Sequence, residues 1–103
     1  MARLNWTDQA AGDLTGIAIF IAKDSVKYAR ITILKIRTAA RLLRTSPLSG
    51  RKVPETDIEN IRELIHGNYR IIYVILASDR IDILTVHHSA KRLDIQGLKK
   101  HIT

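Results

Sequence analysis

The sequence contains no cysteine. Disulfides and thiolate chemistry are therefore excluded, and the composition fits a reducing compartment. Only two prolines are present, and the five glycines are isolated from one another. No glycine-rich phosphate loop can be built from them. Aromatic residues are few, with one Trp and one Phe. A core this aliphatic supports one modest two-layer packing rather than a deep walled pocket. The apolar run from Ile17 to Ala22 is too short to span a bilayer and follows polar residues. A cytoplasmic protein away from membranes is expected. Acidic residues are also scarce, ten against seventeen Lys and Arg, which leaves a net charge of +7. Such a surface is expected to meet an anionic partner: nucleic acid, a ribosome, an acidic protein or an anionic membrane.

At 103 residues the chain is read as one domain, 1–103. Its most β-favouring stretch is Asn68 to Leu76. Tyr69, Ile71, Tyr73 and Ile75 alternate there with Ile72, Val74 and Leu76, so both faces are apolar. That pattern predicts a central strand buried on both sides. Ile61 to Ile65 and Ile81 to His88 read as its hairpin neighbours. His66-Gly67-Asn68 and Ser78-Asp79-Arg80 supply the turns. On the third strand, alternation places Ile81, Ile83 and Thr85 on one face and Leu84 and Val86 on the other.

Upstream, Leu4 and Trp6 alternate with polar residues as in a half-buried strand. Thr7-Asp8 marks a helix start, and Ala10, Leu14, Ile17 and Ile21 form one stripe to about Lys23. Gly12 and Gly16 weaken this helix, and a close helix–helix approach on their side would explain them. Asp24-Ser25 starts a second helix from about Val26 to Arg44. Its core face is Ala29, Ile33, Ile36, Ala40 and Leu43. Lys27, Arg30, Arg37, Arg41 and Arg44 cluster in a neighbouring sector, either as a solvated face or as the footprint of an acidic partner. Ser46-Pro47 ends the helix. The segment 89–103 is a basic tail in which Leu93, Leu98 and Ile102 suit a short amphipathic helix. The expected class is α+β: an N-terminal strand, a helical hairpin, then a three-stranded antiparallel meander, with the helices on one face of a small sheet.

No metal or cofactor motif stands out. His87 and His88 are adjacent in a strand and point to opposite faces, so they do not share a metal. Either can be a lone general acid or base, or simply an exposed strand-end histidine. His101 lies in the tail and forms no motif. Arg62 and Arg70 sit on neighbouring strands. They flank one another in one register, and are free in others to pair with Glu55, Glu59, Glu63 or Asp82.

Five short motifs, in order, resemble the RelE/ParE toxin superfamily of bacterial toxin–antitoxin modules. Trp6 to Leu14 is similar to the start of its first helix. Pro47-Leu48-Ser49-Gly50-Arg51 matches a Pro-x-x-Gly-Arg turn. Ile61-Arg62-Glu63-Leu64, Asn68 to Tyr73 and Ile83 to Arg92 look like its three C-terminal strand motifs. The resemblance implies one of two activities. ParE-type members poison DNA gyrase, and RelE-type members cut mRNA on the ribosome. Anchored on Tyr69-Arg70, Ile61 and Glu63 fall where a RelE-type nuclease carries strand lysines, and Arg70 keeps its arginine. Ser89 and Ile95 fall where its last arginine and tyrosine would be. The loss of these groups implies the ParE branch. A nuclease using Arg62, Arg70, His87 and His88 is the alternative, and an inactive homologue that only binds antitoxin is a third.

Either branch implies a cognate antitoxin with an acidic C-terminal segment and a toxin–antitoxin hetero-oligomer. Operator DNA would be contacted only through the antitoxin. The expected antitoxin surface is the basic stripe with the nearby sheet edge. Lys91, Arg92, Lys99 and Lys100 in the tail are the expected gyrase contacts.

Overall fold

A computed structural model describes residues 1–77 and 79–102, without the side chain of Ile102. Ser78 of the expected second turn, Thr103 of the tail and the side chain of Ile102 lie outside the described residues. In chain order come β1 (Arg3–Trp6), α1 (Asp8–Ala22) and α2 (Val26–Arg41). Single 3-10 turns follow at Leu42–Arg44 and Pro47–Ser49, so the α-helix proper stops before Arg44. Then come β2 (Arg51–Lys52), β3 (Ile61–His66), β4 (Tyr69–Leu76), β5 (Arg80–His88) and α3 (Ile95–Ile102). The class is the expected α+β arrangement.

Both hairpin helices begin on side-chain caps. The Thr7 hydroxyl accepts from the Ala10 amide at 3.1 Å, and the Ser25 hydroxyl from the Tyr28 amide at 3.0 Å. The sheet order is β1-β5-β4-β3-β2. β3, β4 and β5 form the antiparallel meander, and β1 pairs parallel to β5. The two-residue β2 was too short to show a period of its own. β4 is central, and both its faces are covered.

On one face, Ile71 and Tyr73 pack with Ile81, Ile83 and Val86 against Ala10, Leu14, Ile36, Ala40 and Leu43 of the hairpin. On the other, Ile72, Val74, Leu84 and Ile61 meet Val53 and α3 residue Leu98. The tail helix thus closes the second face.

Two expectations change. The register between β4 and β5 shifts at Ile72/Tyr73, so Leu84 is an extra residue and the alternation reverses after it. Val86, not Thr85, therefore joins Ile81 and Ile83 against the hairpin. Asp13 of α1 holds this bulge by accepting from the Thr85 hydroxyl and, at 3.0 Å, from the Val86 amide. Gly12 and Gly16 face open space, since a Cβ added at either meets nothing within 4 Å. The close approach expected on their side is absent among the described residues.

Candidate partner-binding surface

α2 carries more apolar residues than its core face can bury. Val26 and Leu34 stay largely exposed, as does Ile19 of α1. Together with Ala18, Ala22, Ala29 and Ile33 they line an open groove of about 520 Å³ between the two helices. Arg30 and Arg37 line the same groove. They lie seven residues apart, two helical turns or about 10 Å along the axis. Arg37 also sits over the Trp6 ring of β1, 5.8 Å from its centroid, which restricts the guanidinium.

Of the basic stripe, only Arg30 and Arg37 line the groove. Lys27 and Arg41 are exposed outside its lining. Arg44 turns to β1, its Nε donating to the Ala2 carbonyl at 3.3 Å. Periodicity marks the core stripe of α2 but gives no partner to Val26 and Leu34, which lie off it and extend the apolar lining. The exposed Val26 and Leu34 were the available signal.

The nuclease candidates are divided by the sheet. Arg62 lies opposite Tyr73 and His88 opposite Tyr69, both on the hairpin face. Arg70 lies between Ile65 and His87 on the other face. Arg62 and Arg70 therefore do not flank one another. Arg62 is spent on the Gly50 carbonyl at 2.8 Å. The His87 ring donates to the Lys91 carbonyl, and His88 Nδ1 accepts from the Ala90 amide.

Arg70 is committed to carboxylates. Its Nε donates to Glu63 at 2.5 Å, and its two terminal nitrogens grip Glu55 bidentately at 2.7 and 2.8 Å. Glu63 is buried and also accepts from Arg51 at 2.6 Å. The Glu55 bonds raise the Arg70 pKa above its ordinary value against the opposing effect of burial. The same bonds hold the Glu55 carboxyl below its ordinary range.

Lys91, Arg92, Lys99 and Lys100 are exposed on and before α3. No group of His, Asp or Glu among the described residues is placed to hold a metal. No helix among them is long and apolar enough to cross a membrane.

This fold, with an amphipathic hairpin over an antiparallel meander, is that of the RelE/ParE toxin superfamily. A solved chain described as "Chromosomal ParDE TA system from P. aeruginosa" superposes with a TM-score of 0.70 at 20% identity, covering 85% of this chain and 96% of that one. The family model "ParE toxin of type II toxin-antitoxin system, parDE" matches residues 4–93. The chain belongs to this ParE toxin family. It is 32% identical over 91 residues to "Toxin RelE2" of Caulobacter vibrioides, covering 88% of this chain and 99% of that protein.

Proposed function

We propose that this ParE-family toxin inhibits bacterial DNA gyrase and is neutralised by an acidic antitoxin seated on the α1–α2 groove. The neutralised state of Arg70 carries the choice between the two activities. Cleavage of RNA needs uncompensated cations around the scissile phosphate. Here the strand arginine is paired with two carboxylates, Glu55 and Glu63, while Arg62 and His88 lie on the opposite face. Inhibition by binding needs no such set. The exposed cations Lys91, Arg92, Lys99 and Lys100 are the proposed target contacts.

The groove suits an antitoxin helix with small apolar anchors and two carboxylates spaced to meet Arg30 and Arg37. The β1 edge next to Trp6 offers an extended segment a place to continue the sheet. Inducing the toxin alone, with pulse-labelling of DNA and protein synthesis, tests the target. DNA synthesis is expected to fall first, and purified toxin to block gyrase supercoiling. Early loss of translation would replace this reading with mRNA cleavage. No growth effect would leave an antitoxin-binding homologue without toxicity.

A further inference from the structure

No Asp or Glu occurs in the 30 residues from Ser25 to Pro54, which carry eight of the seventeen Lys and Arg. α2 fills the first half of this stretch, and its buried residues are Ala29, Ile36 and Ala40. The side of the helix opposite them forms a crest toward solvent. Along and beside that crest Tyr28, Leu34 and Leu42 keep 60%, 63% and 62% of their surface exposed, and Ile31 keeps 38%. Leu42 stands in the 3-10 turn that continues α2. Lys27, Lys35 and Arg41 interleave with these residues and are exposed. None of the three holds a carboxylate among the described residues. Apart from Leu34, none of these crest residues lines the α1–α2 groove. From Tyr28 to Leu42 the crest runs roughly 20 Å along the axis.

We propose that this crest docks on the surface of an anionic lipid bilayer, with α2 lying parallel to it. The helix rests on the surface, since no helix among the described residues is long and apolar enough to cross. The mixture of side chains decides among the anionic partners that the charge allows. A protein partner would bury three cations among aliphatic side chains and would need a carboxylate placed for each. At a bilayer surface the long Lys and Arg stems reach from the apolar level to mobile lipid phosphates, while Ile31, Leu34 and Leu42 enter the headgroup boundary. Nucleic acid rewards stacking on aromatic rings, which an aliphatic crest does not supply. A second copy of the crest would bring the same cations together with no carboxylate among them. The apolar residues are few and dispersed, so attachment is reversible and depends on anionic lipid. The proposal stands whatever occupies the groove.

Co-sedimentation of the full chain with vesicles of mixed phosphatidylglycerol and phosphatidylcholine tests it. Binding is expected to be about tenfold or more weaker on pure phosphatidylcholine. Ile31→Asn with Leu42→Asn leaves the charge unchanged and should weaken binding to the mixed vesicles about tenfold. Ile65→Asn alters an exposed aliphatic residue on β3 and should bind like wild type. No binding to the mixed vesicles would overturn the proposal. Equal binding by the crest pair and wild type would do so as well, since adsorption would then follow net charge alone. Duplex DNA in place of vesicles should bind the crest pair as well as wild type, and a parallel loss there would make nucleic acid the occupant instead. Should the crest pair unfold early in urea, Lys35→Gln with Arg41→Gln takes its place. That pair should weaken vesicle binding several-fold more than Lys91→Gln with Arg92→Gln, and equal losses would overturn the proposal.

Discussion

The Tyr73 hydroxyl accepts the Gly50 amide at 3.1 Å and donates to the Pro47 carbonyl at 2.6 Å. A single buried hydroxyl on the central strand thus ties down the Pro-x-x-Gly-Arg turn. Gly50 is required because a Cβ there would lie 2.5 Å from the Glu63 carbonyl oxygen and 2.6 Å from the Tyr73 hydroxyl. Tyr73→Phe is expected to cost about 1–3 kcal/mol, because the buried Gly50 amide and the half-buried Pro47 carbonyl lose their partner. Gly50→Ala should cost at least as much. Urea unfolding of each purified variant measures both, and a Tyr73→Phe midpoint equal to wild type would contradict the assignment.

Arg70 is the centre of an ionic chain running Arg51, Glu63, Arg70, Glu55, buried at Glu63 and Arg70 and exposed at its two ends. Arg70→Met removes the main neutralising group from buried Glu63. The expected loss is about 3–5 kcal/mol, as for other broken buried pairs. An Arg70 variant of full stability would show that the chain carries no energetic weight.

Acid should weaken the fold through Glu55 and Asp82. Both carboxyls lie below their ordinary values in the folded chain, so each takes up protons more readily when unfolded. Their stabilising contribution is present above the ordinary carboxylate range and is lost as pH falls through the depressed folded values. Urea midpoints at pH 7, 5 and 3.5 should decline. Glu55→Gln should decline less steeply, and an identical pH profile in that variant would remove Glu55 from the account.

Gly12→Ala and Gly16→Ala have open space to fill in an exposed helix interior. Each should stabilise the free toxin by about 1 kcal/mol. Thermal unfolding of the free chain is the check, with no change or a loss as the adverse result.

Charge reversal probes the groove. Arg30→Glu with Arg37→Glu is expected to weaken antitoxin binding by about tenfold or more at low salt, with a smaller effect at high salt. The distal pair Lys27→Glu with Arg41→Glu should matter less, since neither residue lines the groove. Equal effects of the two pairs would mean that general charge, not the groove, attracts the antitoxin.

Ala77 follows β4 with φ at +44°, a left-handed conformation that costs an L-residue about 1–2 kcal/mol. Ala77→Gly should recover part of this, about 0.5–1 kcal/mol. A lower unfolding midpoint in this variant would show that the local backbone is not strained.

Much of the architecture follows from periods carried along the chain. The two-sided apolar pattern of Tyr69 to Leu76 made β4 central. The spacing of Ala29, Ile36, Ala40 and Leu43 set the buried side of α2, and ordered short motifs pointed to the superfamily. Each of these signals is local, because backbone geometry repeats every 3.6 or 2 residues. Tertiary structure alone decided what depends on long-range register. One inserted residue at Leu84 moved Val86 to the hairpin face. Pairing of Arg62 with Tyr73, and of Arg70 with His87, placed the two arginines on opposite sides of the sheet. Contacts between distant segments brought Glu55 to Arg70 and His101 to Asp82. A charge in sequence has no face and no partner until strands pair, so only the folded chain shows Arg70 buried and paired with Glu55 and Glu63.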